Sequence, residues 1–277
     1  MTQEQSTLFP APDLSGVARL AAQAGSDAIH TVLNTGALGS QFKSGDHDLV
    51  TTADRASEAA VVAVIARQRP DDAILGEEGT QRAGTSGLRW LIDPLDGTAN
   101  FVHGRADYAV SVGVEQDGVA VAGAIVFPAS GRWVAGGPNS LKASAFQGTS
   151  HKSELIQEHQ RIANPRPEHS LVAFGLPYGL PARRHALSTI ADLSSDIRGV
   201  RVMGCAAGDL AAVALGQCNG FVGIGLSPWD TAAGQALVSA AGGTVFHGQT
   251  PAGPSVIVAG GIDLVEFITA RIAKTSA

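Results

Sequence analysis

Trp90-Leu91-Ile92-Asp93-Pro94-Leu95-Asp96-Gly97-Thr98-Ala99-Asn100-Phe101 begins as a short apolar strand and ends at a carboxylate, Asp93. Pro94 then restricts the backbone, and a second carboxylate, Asp96, follows three residues after the first. Gly97-Thr98 can open a helical turn, whose free backbone N–H groups suit an anion such as phosphate. Two carboxylates beside such a turn repel each other and the anion. At an effective dielectric near ~20, two unit charges roughly 4 Å apart cost about 4 kcal/mol. A hard divalent cation removes that cost, and magnesium bridges carboxylates to substrate phosphate through oxygen ligands. An isolated D-x-x-D is more often a turn cap. The apolar strand before this pair and the Gly-Thr after it shift the balance.

Working outward, two further acidic sites have similar surroundings. Glu77-Glu78 follows Gly76 and a strand-like stretch at 73–75, and Asp230 follows Pro228-Trp229 and opens an Ala-rich helix. Taken alone, the first is a solvated surface pair and the second an ordinary N-cap. The rest of the chain alternates elements. The spacing of apolar residues predicts a helix from the Asp13 cap to Gly36 and a second over about 54–69, stopped before Pro70. Strand-like runs at 108–115 and 119–126 flank Gln116-Asp117-Gly118, which reads as a hairpin. Residues 128–167 read as loop-rich. Strands are expected at 171–174, 200–203, 221–224 and 256–259, and helices at 206–215, 229–241 and 264–273. Helices and strands intermix throughout, which argues for a layered α and β architecture.

Composition narrows the chemistry. The chain has 277 residues, 44% hydrophobic and 16% charged, enough apolar material for a sizeable core. Its net charge of −6 argues against long nucleic acid as a partner. No apolar run approaches the roughly 20 residues of a membrane span. Residues 1–12 lack a basic patch followed by an apolar stretch, so a soluble, cytoplasmic protein is expected. The two cysteines, Cys205 and Cys218, form no C-x-x-C or zinc spacing and read as small buried hydrophobes. H-E-x-x-H, G-x-S-x-G, Walker A and G-x-G-x-x-G patterns are all absent, which removes the common zinc-hydrolase, serine-hydrolase, P-loop and dinucleotide readings.

Taken together, Gly76-Glu77-Glu78, the run from Asp93 to His103, and Trp229-Asp230-Thr231-Ala232-Ala233-Gly234 resemble the signature set of the inositol monophosphatase superfamily. Asp48-Leu49-Val50-Thr51-Thr52-Ala53-Asp54, with Lys43 upstream, is similar to that family's D-L-V-T-x-x-D, and Gly204-Cys205-Ala206-Ala207 to its G-S/T-A-A. The resemblance spans about Lys43 to Gly243 in the family's order. It implies a layered αβαβα sandwich of the sugar-phosphatase type, a mixed α and β fold in one two-lobed unit, with lobes at about 9–146 and 147–277. It implies two or three Mg²⁺: one on Glu77, Asp93 and the Leu95 carbonyl, a second on Asp93, Asp96 and Asp230, and a third, weaker one near Glu77. Glu78 and Lys43 stand behind these ligands. Thr98, backed by Asp54, orients the attacking water, and Glu77 shares in catalysis. Gly97 and Thr98 N–H groups hold phosphate oxygens, and Gly204, Cys205 and Ala206 contact the substrate. The resemblance further implies a small phosphorylated metabolite as substrate, lithium sensitivity and a homodimer.

Two departures matter for substrate. Members that prefer inositol phosphates carry an acid seven positions before the W-D aspartate; here that position is Gly223. Cys205 also replaces the usual Ser or Thr. Histidinol phosphate and a 3′-phosphorylated nucleotide are therefore alternative substrates. Fructose 1,6-bisphosphate fits less well, because the chain is short for that branch. A catalytically weak regulatory protein on the same fold is the alternative from another class.

Overall fold

The computed structural model describes residues 13–36, 39–42, 49–138, 140–144, 154–155, 162–250 and 253–274. The chain opens with helix α1 (Leu14–Thr35), a hairpin of β1 (Ser40–Phe42) and β2 (Leu49–Thr51), and helix α2 (Thr52–Gln68). Both helices start where their caps dictate. The Asp13 side chain accepts from Gly16 N, and Gly36, left-handed at φ +65°, closes α1. Thr51 and Asp54 form a reciprocal capping box on α2.

Eight strands then build a mixed sheet: β3 (Ala73–Gly76), β4 (Gln81–Arg82), β5 (Leu88–Asp96), β6 (Ala109–Gln116), β7 (Val119–Phe127), β8 (Arg132–Gly137), β9 (Ser140–Ser144) and β10 (Glu154–Leu155). Their spatial order is β10-β9-β8-β7-β6-β5-β3-β4. The short helix α3 (Thr98–Val102) leaves the end of β5. A second sheet, in the order β12-β11-β13-β15-β14, contains β11 (Leu171–Gly175), β12 (Gly199–Arg201), β13 (Gly220–Ile224), β14 (Thr244–Gln249) and β15 (Ser255–Gly260). Helices α4 (Leu180–Ser194), α5 (Ala206–Ala214), α6 (Pro228–Ala240) and α7 (Ile262–Lys274) complete the fold.

Three apolar cores fix the layering. The first joins α1 and α2 to one face of the large sheet, through Ala21, Ile29, Val61, Ile65, Trp90 and Val112. The second lies between the two sheets and is built on α5 and α6, with Leu210, Val213, Ala233 and Leu237 meeting Ile125 and Phe221. The third seals the outer face of the small sheet with α4 and α7, through Phe174, Leu193, Val258 and Ile268. The order is therefore helices, sheet, helices, sheet, helices: the expected αβαβα sandwich. Close approach of α6 to the large sheet depends on missing side chains. A Cβ at Gly113 or Gly123 would stand 2.7 Å from Ala233 N or 2.6 Å from Ala233 Cα.

Five elements depart from the sequence reading. Among the described residues of 128–167, 132–137 and 140–144 are strand and not loop: β8 and β9 pair antiparallel, and Gly136-Gly137-Pro138 closes β8. Helix α4 occupies a stretch that lacked a readable pattern, because Gly179 supplies no side-chain cap and few of its positions are deeply buried. Strand β14 is an edge strand with a largely exposed surface, so its side chains do not alternate. The strand expected at 200–203 is Gly199–Arg201, shifted toward its N-terminus.

Candidate metal-binding active site

The site forms where β3 and β5, parallel neighbours in the large sheet, both end beside the N-terminus of α6. Glu77 lies just past β3. Asp93 and Asp96 lie in the last residues of β5, where the register with β6 slips between them. That bulge is the physical result of Pro94 entering a strand, since proline gives no N–H to the ladder. Asp230 is in the first turn of α6 and accepts from Ser227 N at 2.8 Å. All four acids line one cleft of about 460 Å³, together with Leu95, Gly97, Thr98, Gly204, Cys205 and Ala206.

The electrostatics mark this cleft. Asp93 is 2% exposed. Burial, then the charges of Glu77, Asp96 and Asp230, push its carboxyl well above the usual range. Asp96 is pushed up to about 6, chiefly by burial, although N–H groups of Ala207 and Ala206 and the Cys205 thiol oppose the shift. Such a cluster costs free energy unless protons or cations neutralise it. Among the described residues that line the cleft, Arg183 is the only cationic side chain. Hard carboxylate oxygens in this number suit Mg²⁺. Among the described residues, however, no three His, Cys, Asp or Glu side chains are gathered as a closed metal cage. Backbone amides occupy some of their oxygens. Asp96 accepts from Ala207 N at 2.6 Å and Asp93 from Leu95 N at 3.1 Å.

Thr98 is buried, and its hydroxyl lies 3.2 Å from Asp54 Oδ1 and 3.0 Å from the Leu95 carbonyl. The other Asp54 oxygen accepts from Thr51 N and Oγ1 at 2.8 and 2.6 Å. Gly97 takes φ +90°, and a Cβ there would stand 2.8 Å from Asp107 O, so only glycine fits this turn. Asn100 ties the two sheets' loops together by donating to Asp107 O and Met203 O, each at 2.8 Å. Cys205 is buried, and burial followed by the Asp96 charge pushes its thiol up, away from thiolate chemistry. Both cysteines are free thiols. Glu78 is not among the cleft-lining residues, and its backbone N–H donates to Glu58 Oε2 at 2.8 Å; Lys43 lies outside the described residues.

The sequence reading missed the wall facing the acids. Leu176, Pro177, Tyr178 and Arg183, from the loop after β11 and the start of α4, line the cleft with Val202 and Leu226. Burial and then the four acids push the Tyr178 hydroxyl up, which puts that ring within reach of their field. A turn-rich Gly-Leu-Pro-Tyr-Gly following a strand end was the available signal. Gly223 does not line the cleft; it borders a neighbouring cavity. It pairs in register with Gly175, and a Cβ on either would stand 2.7 Å from Leu226 Cδ1. Leu226 thus fills the notch where a side chain at 223 would sit.

A layered αβαβα molecule with an acid-lined cleft between its sheets defines a class of fold and site. Comparison with known proteins narrows it. The family model described as "Inositol monophosphatase family" matches residues 13–274, and the chain belongs to that family. An Arabidopsis thaliana protein named phosphatase IMPL1, chloroplastic, is 37% identical over 86% of this chain, which spans 63% of that protein's length. An inositol-1-monophosphatase of Mesorhizobium japonicum is 36% identical over 73% of each chain, and the Nus factor SuhB of Escherichia coli is 32% identical over 73% of each. Among solved structures, the extragenic suppressor protein SuhB of Bartonella henselae superposes with a TM-score of 0.76 at 30% identity, covering 94% of this chain and 96% of the other.

Proposed function

We propose that this chain hydrolyses a small phosphate monoester, with Mg²⁺ held by Glu77, Asp93, the Leu95 carbonyl, Asp96 and Asp230. The single observation that carries the reading is the gathering of these four carboxylates along one cleft, with Asp93 buried among them. Bound there, two or three Mg²⁺ would supply a water of lowered pKa and neutralise charge on the phosphoryl and leaving oxygens.

The chain's own residues orient the reaction. Thr98 directs its hydroxyl proton to Asp54 or the Leu95 carbonyl, which leaves its lone pairs to accept from the attacking water. Glu77 would hold the cation that activates that water. The Gly97 and Thr98 N–H groups hold phosphate oxygens as charge spreads over them. Gly204, Cys205 and Ala206 border the leaving group, and Glu78 supports the metal ligands; the family resemblance gives Lys43, outside the described residues, the same part. No covalent phosphoenzyme is needed. The same reading makes the protein a lithium-sensitive, cytoplasmic homodimer of two lobes meeting near residue 146. No described helix is long and apolar enough to cross a membrane.

Because Leu226 occupies the space beside Gly223, inositol phosphate has no privileged place among the substrates. Histidinol phosphate and 3′(2′),5′-bisphosphate nucleotides belong beside it. A phosphate-release panel of these esters with Mg²⁺ tests the proposal. Release from at least one, abolished by a chelator, is the expected result; no release from any would overturn it. Relatives named Nus factor SuhB favour one second reading, a regulatory protein on the same fold, and an inert panel would support that reading instead.

A further inference from the structure

Helix α2 presents one buried face toward the cleft without lining it. Asp54, Ser57 and Glu58 are 1%, 0% and 4% exposed, and their spacing places them on one side of the helix. Each holds a different segment of the candidate site. Asp54 faces Thr98, Ser57 Oγ donates to Pro94 O at 2.7 Å, and Glu58 reaches the turn that carries Glu77. The Glu58 hold is the most extensive. One oxygen accepts from Glu78 N at 2.8 Å; the other accepts from Thr80 N at 3.0 Å and Thr80 Oγ1 at 2.6 Å. Gly76 makes room for it, since a Cβ there would lie 2.4 Å from Glu58 Oε2. The turn is further pinned by Gly76 N to Thr80 O at 2.8 Å and Glu77 N to Ile92 O at 3.1 Å.

We infer that Glu58 is a positioning residue for cation binding: through three hydrogen bonds to Glu78 and Thr80 it fixes the Gly76–Thr80 turn, and so aims Glu77 into the cleft. It rests on the metal reading proposed above. Glu58 is absent from the cleft lining, so it acts through the turn and not on the substrate. A glutamine in its place keeps an oxygen for one set of donors and turns an NH₂ group against the other. The turn then loses half of its anchor while helix α2 remains intact.

Asp72 supplies the control. It is equally buried, accepts from Arg69 and Trp90 at 2.7 and 2.8 Å, and lies outside the cleft. The experiment is calorimetric titration of the full chain, freed of metal by a chelator, with Mg²⁺ alone, accompanied by melting temperatures. Glu58→Gln is expected to weaken Mg²⁺ binding about ten- to hundredfold, the usual effect of removing a partner behind a metal ligand. Thr80→Val, which removes one of the three donors and keeps the fold, is expected to weaken it less. Asp72→Asn is expected to lower the melting temperature and leave Mg²⁺ affinity unchanged. In kinetics, Glu58→Gln raises the Mg²⁺ concentration needed for half-activation without raising KM for the ester. If Glu58→Gln and Thr80→Val bind Mg²⁺ as the parent does, or Asp72→Asn weakens it as much, the inference is wrong. A parent that binds no Mg²⁺ overturns the metal reading itself, and the inference with it.

Discussion

Asp93 is buried beside three other acids, and its raised pKa means that ionising it destabilises the folded chain. Asp93→Asn keeps the oxygen that accepts from Leu95 N and removes the charge. Without metal this variant is expected to melt at or above the parent's temperature, yet release no phosphate with Mg²⁺; turnover near the parent's level would contradict the proposal that Asp93 is a metal ligand. Asp209 offers a separate test. Burial, then Asp96 and Asp107, push its carboxyl up to about 8, and Oδ2 has no hydrogen-bond partner. A carboxyl whose folded pKa lies above its unfolded value near 3.8 favours folding when protonated. That contribution is whole below about pH 4 and is lost as pH rises toward 8. Asp209→Asn should therefore flatten the fall in melting temperature of the metal-free protein between pH 5 and pH 8, which thermal melts across that range would show. At this scale the acids were legible because short motifs surround them. Tyr178, Arg183 and Leu226 were not, because the cleft wall they form depends on where the β11–α4 loop folds back.

Among the elements, those with explicit end signals were readable. Asp13 and Gly36 bound α1, Thr51 and Asp54 open α2, and Asp117-Gly118, both at positive φ, turn the β6–β7 hairpin. Helix α4 begins after an uncapped glycine and β14 runs along an exposed sheet edge, so neither carried a clear period. The turn from β5 into α3 makes its own prediction. Gly97→Ala forces a Cβ against Asp107 O in a left-handed conformation. Destabilisation of about 1 kcal/mol or more is expected, with loss of activity, because the turn cannot shift without moving Asp96 and Thr98. Denaturant unfolding beside a phosphate-release assay would check both parts; an unchanged midpoint and rate would show that the turn is not constrained.

For the whole molecule, the αβαβα layering could be foreseen from intermixed elements and the family motifs, whereas the meeting of the acids could not be read from periodicity. Sequence separates Glu77 from Asp230; parallel pairing of β3 with β5 and the packing of α6 on the large sheet bring them together. A cleft that gathers negative charge between two sheets should be stabilised by what neutralises it. Below its pKa of about 6 Asp96 is protonated, and a cation must displace that proton to bind. Mg²⁺ should therefore raise the melting temperature more at pH 8 than at pH 5. Thermal melts with and without Mg²⁺ at the two pH values measure this, and an equal rise at both would mean that the ion binds away from the acids.

Crystals soaked in Mn²⁺, a hard cation with a strong anomalous signal, would locate the ion. Anomalous peaks against the carboxylates of Glu77, Asp93, Asp96 and Asp230 are the expected result. Peaks only elsewhere on the molecule, or none, would contradict the claim that these four acids form a divalent-cation centre.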